Sequence, residues 1–162
     1  YGSTLFGLMR NFNCDPEEFL RFVHDIDFRN LKKSDSLRKK INFLSGKKIL
    51  YTNGDADYAK KLLNALGLDG VFYDIFDIRK TNYIPKPMKQ SFEKLVSLYD
   101  LKTSEVVYFD DLDKNLKTAF LNGVTTIHIS EENESSYKMY IDFRFKTIIN
   151  ALDMINNSIK NL

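Results

Sequence analysis

Up to Gly46 the apolar positions of the chain recur at helical spacing. Phe19, Phe22, Val23 and Ile26 follow Asp15-Pro16-Glu17-Glu18, which combines a capping carboxylate, a proline suited to the first helical position and two acids facing the dipole. The pattern predicts an amphipathic helix over 15–27. Leu37, Ile41 and Leu44 predict a second, opened by Ser34-Asp35 and stopped by Gly46. From Lys48 onward short apolar runs alternate with helical stretches. Strands are expected over 48–52, within 71–78, over 106–109 and over 124–129. Helices are expected over 55–66 (Ala59, Leu62, Leu63 and Leu66 inward), 89–99 (Phe92, Leu95, Val96 and Tyr99 inward), 113–121 and about 146–159. Strands separated by helices at this interval predict βαβ units, an α/β fold with a Rossmann-like parallel sheet. In such sheets the chemistry collects at the carboxyl ends of the strands. The segment 131–145, acidic and then rich in Tyr and Phe, matches no element pattern.

Composition narrows the class without changing that picture. The chain has 162 residues, 43% hydrophobic and 28% charged, with 7 Gly and 3 Pro, which fits one domain or one domain carrying part of another. Disordered, collagen-like and low-complexity proteins are excluded. No long uncharged apolar run exists to make a transmembrane helix, and the residues from Tyr1 lack the charged and apolar regions of a signal peptide. No membrane partner is expected. Net charge is +2, from 24 basic and 22 acidic side chains. The basic doublets (Lys32-Lys33, Arg38-Lys39-Lys40, Lys47-Lys48, Lys60-Lys61) read as solvated surface, because no base-stacking aromatic pattern accompanies them. Nucleic acid is therefore not an expected partner. Cys14, the single cysteine, has no disulfide or thiolate-metal partner within the chain, and a reducing, cytoplasmic setting is expected.

Three short stretches carry candidate chemistry. Thr52-Asn53-Gly54 follows the first expected strand and precedes a helix. A small hydroxyl with backbone N–H groups there suits an anion, and an ordinary turn with a helix N-cap fits equally. Lys86 lies between Pro85 and Pro87 just before the helix at Lys89. Its ammonium is delivered to one place, suited to a phosphate or a carboxylate, unless it is simply an exposed loop lysine. Asp110 and Asp111 sit where an apolar strand gives out, with Asn115 one helical turn further on. Adjacent carboxylates suit a hard cation such as Mg²⁺, and capping of the next helix is the other reading. Asn115 is placed to orient the lysine or a carboxylate.

The order of these stretches resembles motifs two, three and four of the haloacid dehalogenase-like (HAD) phosphohydrolases, with 34 residues from Thr52 to Lys86 and 25 from Lys86 to Asp111. Residues 1–8 (YGSTLFGL), 19–27 (FLRFVHDID), 51–55 (YTNGD) and 109–116 (FDDLDKNL) are similar to the pyrimidine 5′-nucleotidase branch of that superfamily. Branch members usually read Glu-Asp-Ser where this chain has Asp110-Asp111-Leu112; the first change keeps the charge and the second loses a hydroxyl but no ligand. The similarity runs from Tyr1 to about Ile129. It implies that Thr52, the Asn53 amide and Gly54 bind phosphoryl oxygens, that Lys86 neutralises nucleophile and phosphate, and that Asp110 and Asp111 hold Mg²⁺ with Asn115 in support. It also implies that residues 1–33 are the C-terminal part of a helical cap carrying His24 and Asp25 toward the substrate, and that 34–162 form the α/β core. His24 alone, a single histidine on a helix, fits a structural role as well.

The family's chemistry also needs Asp-x-Asp-x-Thr/Val after a first strand, whose leading Asp becomes an aspartyl-phosphate and whose second Asp is the general acid-base. Of the three Asp-x-Asp strings here, Asp25-Ile26-Asp27 and Asp55-Ala56-Asp57 fall on expected helices, and Asp111-Leu112-Asp113 would place the nucleophile after Thr52 and Lys86, against the family's order. The nucleophile is therefore expected ahead of Tyr1, since residues 1–8 read as the tail of something already under way, and residues 1–162 alone are expected to be inactive. A sheet lacking that central strand would leave several buried backbone groups unpaired at about 1–3 kcal/mol each, a large part of a domain's roughly 5–15 kcal/mol. The expected function is a Mg²⁺-dependent phosphomonoesterase for a nucleoside 5′-monophosphate. Phosphoglycolate or a sugar phosphate as substrate, or a non-catalytic HAD-like binding protein, are the alternatives. A signalling receiver domain has the acid pair first and the Thr and Lys later, the reverse of this order, and a P-loop protein is excluded because Gly-x-x-x-x-Gly-Lys is absent.

Overall fold

The computed structural model describes residues 2–131 and 137–160. Tyr1 of the opening motif and 132–136 of the unassigned segment lie outside the described residues. The chain forms two compact units, 1–86 and 87–162.

In the first unit the order is α1 (Thr4–Phe12), α2 (Pro16–Val23), α3 (Asp35–Phe43), β1 (Ile49–Tyr51), α4 (Ala56–Ala65) and β2 (Asp74–Phe76). The Ser3 hydroxyl caps α1 by accepting from Phe6 N at 3.2 Å, and Asn13 ends it in the left-handed region at φ 51°. No element was expected there. Asp15 caps α2 as its sequence predicts, accepting from Glu17 N at 2.9 Å. The helix is shorter than expected, however. His24 is its C-cap, so Asp25, Ile26 and Asp27 lie beyond it, and Asp27 instead binds the Arg29 backbone N–H and Nε at 2.9 and 2.8 Å. This local turn competes with helix propagation. The buried face differs too: Phe22 is 84% and Ile26 51% exposed, while Leu20 packs with Leu5 and Ile78, flanked by Met9, Phe19 and Tyr83. The presence of α1 explains the change, because Leu5 supplies the other side of that contact.

Ser34 caps α3 as expected, through Leu37 N at 3.3 Å, but the helix ends at Phe43 and Leu44 is already extended. Strands β1 and β2 pair in parallel, Ile49 opposite Asp74 and Tyr51 opposite Phe76. Tyr73 N–H to Lys48 O (2.8 Å) and Thr52 N–H to Phe76 O (3.0 Å) prolong the pairing at both ends.

The second unit contains α5 (Lys89–Tyr99), a 3-10 turn (Thr103–Glu105), β3 (Val107–Asp110), α6 (Asp113–Phe120), β4 (Thr125–Ile129), β5 (Phe143–Phe145) and α7 (Ile148–Lys160). Its sheet has the order β3-β4-β5, all parallel, with β4 in the middle. Phe92 and Leu95 of α5, Leu116 and Ala119 of α6, Ile127 of β4, and Ala151 and Leu152 of α7 are buried. Thr126 is wholly buried and holds the segment before β5 through Tyr140 O and Asp142 Oδ2, at 2.9 and 3.0 Å. Both sheets are parallel, with α4 between β1 and β2, α5 between β2 and β3 and α6 between β3 and β4, the α/β, Rossmann-like fold expected from the sequence. Among the described residues no helix is long and apolar enough to cross a membrane.

Candidate functional site

The carboxyl end of β1 gathers hydrogen-bond donors. Thr52 Oγ1 accepts from Gly54 N–H at 2.9 Å, a local turn that leaves the hydroxyl proton without an acceptor among the described residues. The Asn53 backbone N–H likewise has no hydrogen-bond partner among the described residues. The Asn53 side chain is fully committed: Oδ1 accepts from Lys86 N–H at 2.7 Å, and Nδ2 donates to Lys86 O at 3.2 Å. This reciprocal pair fixes the lysine backbone across 33 residues of chain. Lys86 Nζ then lies 3.2 Å from Tyr51 O and 5.1 Å from the centre of the Tyr51 ring, at the end of the same strand. The structure thus brings Thr52, Asn53 and Lys86 together. Gly54 contributes through its missing side chain, since its N–H is taken by Thr52.

Beneath this loop two buried carboxylates hold the start of α4. Asp55 accepts from Tyr58 N–H at 2.8 Å and Asp77 from Ala56 N–H at 3.0 Å. Asp55 also binds His24 Nδ1 and lies 3.8 Å from Arg79 Nη1. Burial acts to raise the Asp55 pKa, but the Tyr58 N–H, the His24 contact and the Arg79 charge outweigh it and hold the carboxyl below its ordinary value. His24 stacks on Tyr58 with ring centres 4.1 Å apart. Asp25, by contrast, is exposed and is not brought to this cluster by any contact. Arg79 forks onto Glu17 at 2.8 and 2.7 Å, and Tyr83 OH donates to the same carboxylate at 2.5 Å.

In the second unit Asp110 ends β3 and is 6% exposed. Tyr108 OH donates to its Oδ2 at 2.5 Å, while Leu112 N–H and Asn115 Nδ2 donate to Oδ1, each at 2.9 Å. Asn115 Oδ1 is buried with no hydrogen-bond partner among the described residues. The Asp111 side chain is exposed, and its backbone carbonyl accepts from His128 Nε2 at 3.0 Å. Asp113 is taken by Lys138 Nζ (2.7 Å) and Tyr140 OH (3.0 Å), and the Lys138 contact lowers its pKa. Asp113 is thereby spoken for. Sequence reasoning missed Tyr108 and His128. The first lies two residues before Asp110 on the same strand face, and the second is opposite Asp110 in register on β4.

The acid pair fits a Mg²⁺ site in part. Its donors are hard oxygens, Asp110 is fixed in place by hydrogen bonds from Tyr108, Leu112 and Asn115, and the Asn115 Oδ1 beside it, without a partner among the described residues, suits the hydration shell of a cation. Among the described residues no group of three acids, histidines or cysteines could hold a metal, and the acid pair alone brings two carboxylates to the end of β3. Mg²⁺ commonly takes one or two carboxylates and keeps its waters.

The family model for haloacid dehalogenase-like hydrolase matches residues 19–120, more than half of the chain. The chain belongs to that family and is a HAD-like hydrolase. Among solved structures it is similar to the magnesium-bound HAD-hydrolase YfnB of Bacillus subtilis, with 18% identity, TM-score 0.67, and 93% of this chain covering 68% of that one. A HAD phosphatase from Thermococcus onnurineus gives 18% identity, TM-score 0.63, and 93% of this chain on 85% of that one. The L-2-haloacid dehalogenase of Xanthobacter autotrophicus with covalently bound chloropropionic acid gives 13% identity, TM-score 0.63, and coverage of 75% and 60%. At such identities the likeness is one of fold. Among curated protein sequences nothing matches the chain.

Proposed function

We propose that the protein is a Mg²⁺-dependent phosphomonoesterase acting on a nucleoside 5′-monophosphate, in the manner of the pyrimidine 5′-nucleotidases. The observation that carries this reading is the clamp of Asn53 on the Lys86 backbone, which brings the lysine to the end of β1, its ammonium on Tyr51 O, the residue just before Thr52 and Asn53. Donors held in advance, aimed where negative charge develops, are what phosphoryl transfer requires. In this reading Thr52 and Asn53 donate to the phosphoryl oxygens and Lys86 balances their charge. The leading Asp of the family's Asp-x-Asp motif would attack phosphorus, the ester P–O bond would break, and the motif's second Asp would give the departing oxygen its proton. Water then hydrolyses the aspartyl-phosphate to free phosphate. Asp110 and Asp111 would hold Mg²⁺, which when bound supplies further positive charge to the transferring group. Residues 1–33 serve as the end of a helical cap and 34–162 as the core, in a reducing, cytoplasmic setting with a small phosphorylated metabolite as partner.

The test is an assay of the chain extended upstream in its own reading frame. Nucleoside 5′-monophosphates, phosphoglycolate, sugar phosphates and a 2-haloacid are offered with and without Mg²⁺. Phosphate release that needs Mg²⁺ and favours pyrimidine nucleotides is expected, and Asp111→Asn should lower it by about 100-fold or more. Halide release without phosphate release, or no turnover of any ester, overturns the reading. Unchanged turnover in Asp111→Asn overturns the metal assignment.

A further inference from the structure

His24 has one ring nitrogen fixed and the other unused. Nδ1 is bound to Asp55, the ring is stacked on Tyr58, and the side chain is only 16% exposed, yet Nε2 has no hydrogen-bond partner among the described residues. The free edge has a definite direction. A Cβ placed on Gly54 would meet Thr52 Oγ1 at 3.3 Å and both Cε1 and Nε2 of His24 at 3.4 Å. The unpartnered imidazole nitrogen and the threonine hydroxyl therefore border the same small space, which stays open only because residue 54 has no side chain.

We propose that His24 is a further phosphate-contacting residue, one that reaches the ester from the helical segment preceding the core. This rests on the reading of Thr52, Asn53 and Lys86 as a phosphoryl site. The contact needs a proton on each ring nitrogen: Nδ1–H is donated to Asp55 and Nε2–H to a phosphoryl oxygen. Asp55 balances the imidazolium so formed, and Tyr58 keeps the ring from rotating away. Two supports on one imidazole, Asp55 and Tyr58, exceed what a helix C-cap needs, since that role uses only the His24 backbone N–H, bonded to Leu20 O at 3.1 Å. A side chain positioned by Asp55 and ending beside Thr52 would let the enzyme read a phosphate group from two segments far apart in sequence. It would also favour the phosphate dianion over a carboxylate, which offers one oxygen fewer.

The chain has two histidines, His24 and His128, so side-chain nitrogen resonances can be assigned without ambiguity. Inorganic phosphate is titrated into the isotope-labelled full chain while the His24 ring and the Gly54 amide are followed. The expected result is that His24 Nε2 moves toward the protonated position along the same saturation curve as Gly54, with His128 unmoved. A Gly54 response without any His24 response overturns this inference and leaves the phosphoryl site standing. No response at either position overturns both. As a second measurement, His24→Asn keeps a donor toward Asp55 but lacks Nε2 and should weaken phosphate binding on the order of tenfold. His24→Gln, whose amide nitrogen reaches the Nε2 position, should recover part of the loss. Wild-type phosphate affinity in a folded His24→Asn variant overturns the proposal.

Discussion

The two carboxylates at the end of β3 are neighbours in sequence with opposite physical situations. Asp110 is buried and serves three donors, so removing it strands the Tyr108 hydroxyl, the Leu112 N–H and the Asn115 amide. Asp111 is exposed and its side chain supports nothing in the fold. Asp110→Ala should therefore cost about 3 kcal/mol in urea unfolding, whereas Asp111→Asn should stay within about 0.5 kcal/mol. Equal losses would contradict this division of labour. The candidate residues were legible in the sequence, Thr52 and the acid pair because strand ends collect chemistry and Lys86 because two prolines bracket it ahead of a helix. Their supports were not. Asn53 locking Lys86, and His128 holding the Asp111 carbonyl, are long-range contacts that leave no local periodicity to read.

Among the elements, α2 is the one whose anchoring differs most from its pattern. Its apolar spacing pointed to Phe22 and Ile26, but the helix is held by Leu20 and by Glu17, which takes Arg79 and Tyr83 from the segment after β2. The Arg79 contact, then that of Tyr83, lowers the Glu17 pKa from the ordinary 4.5 to about 2. A carboxylate with a depressed folded pKa stabilises above its unfolded value and loses that contribution as acid protonates it. With the Glu17 side chain 43% exposed, the pair contributes about 1 kcal/mol. The stability gap between wild type and Glu17→Gln, measured by denaturant unfolding across pH, should be full near neutrality and shrink as pH falls from about 4.5 toward 2. A gap that is constant with pH would show that the ion pair does not carry the effect. Two elements escaped the sequence altogether. The strand β5 is a three-residue edge with two of its side chains exposed, so it shows no alternation. Helix α1 opens on Ser3 too near the start of the chain for a preceding pattern to mark its boundary.

At the scale of the molecule, the order of the motifs was more informative than any one of them. Each stretch alone fitted an ordinary turn, a loop lysine or a helix cap; hydroxyl, then lysine, then acid pair, on alternating strands and helices, fitted few families besides the one to which the chain belongs. The division into units of 1–86 and 87–162 has no counterpart in the composition, and the boundary near residue 33 rests on the resemblance alone.

Asn53-Gly54 is also a dipeptide prone to chemical ageing. Ring closure requires the Gly54 nitrogen to attack the Asn53 side-chain carbon, and any local freedom of the pair speeds it. Here that nitrogen points its proton at Thr52, and both polar atoms of the asparagine are held by the Lys86 backbone. Conversion to aspartate or isoaspartate should thus proceed only from molecules that have opened, and peptide mapping of stored protein should find it rising with the unfolded fraction. Each converted molecule would lose the amide donor to Lys86 O, so the groups that hold the lysine in place also set how long the protein keeps its intact sequence.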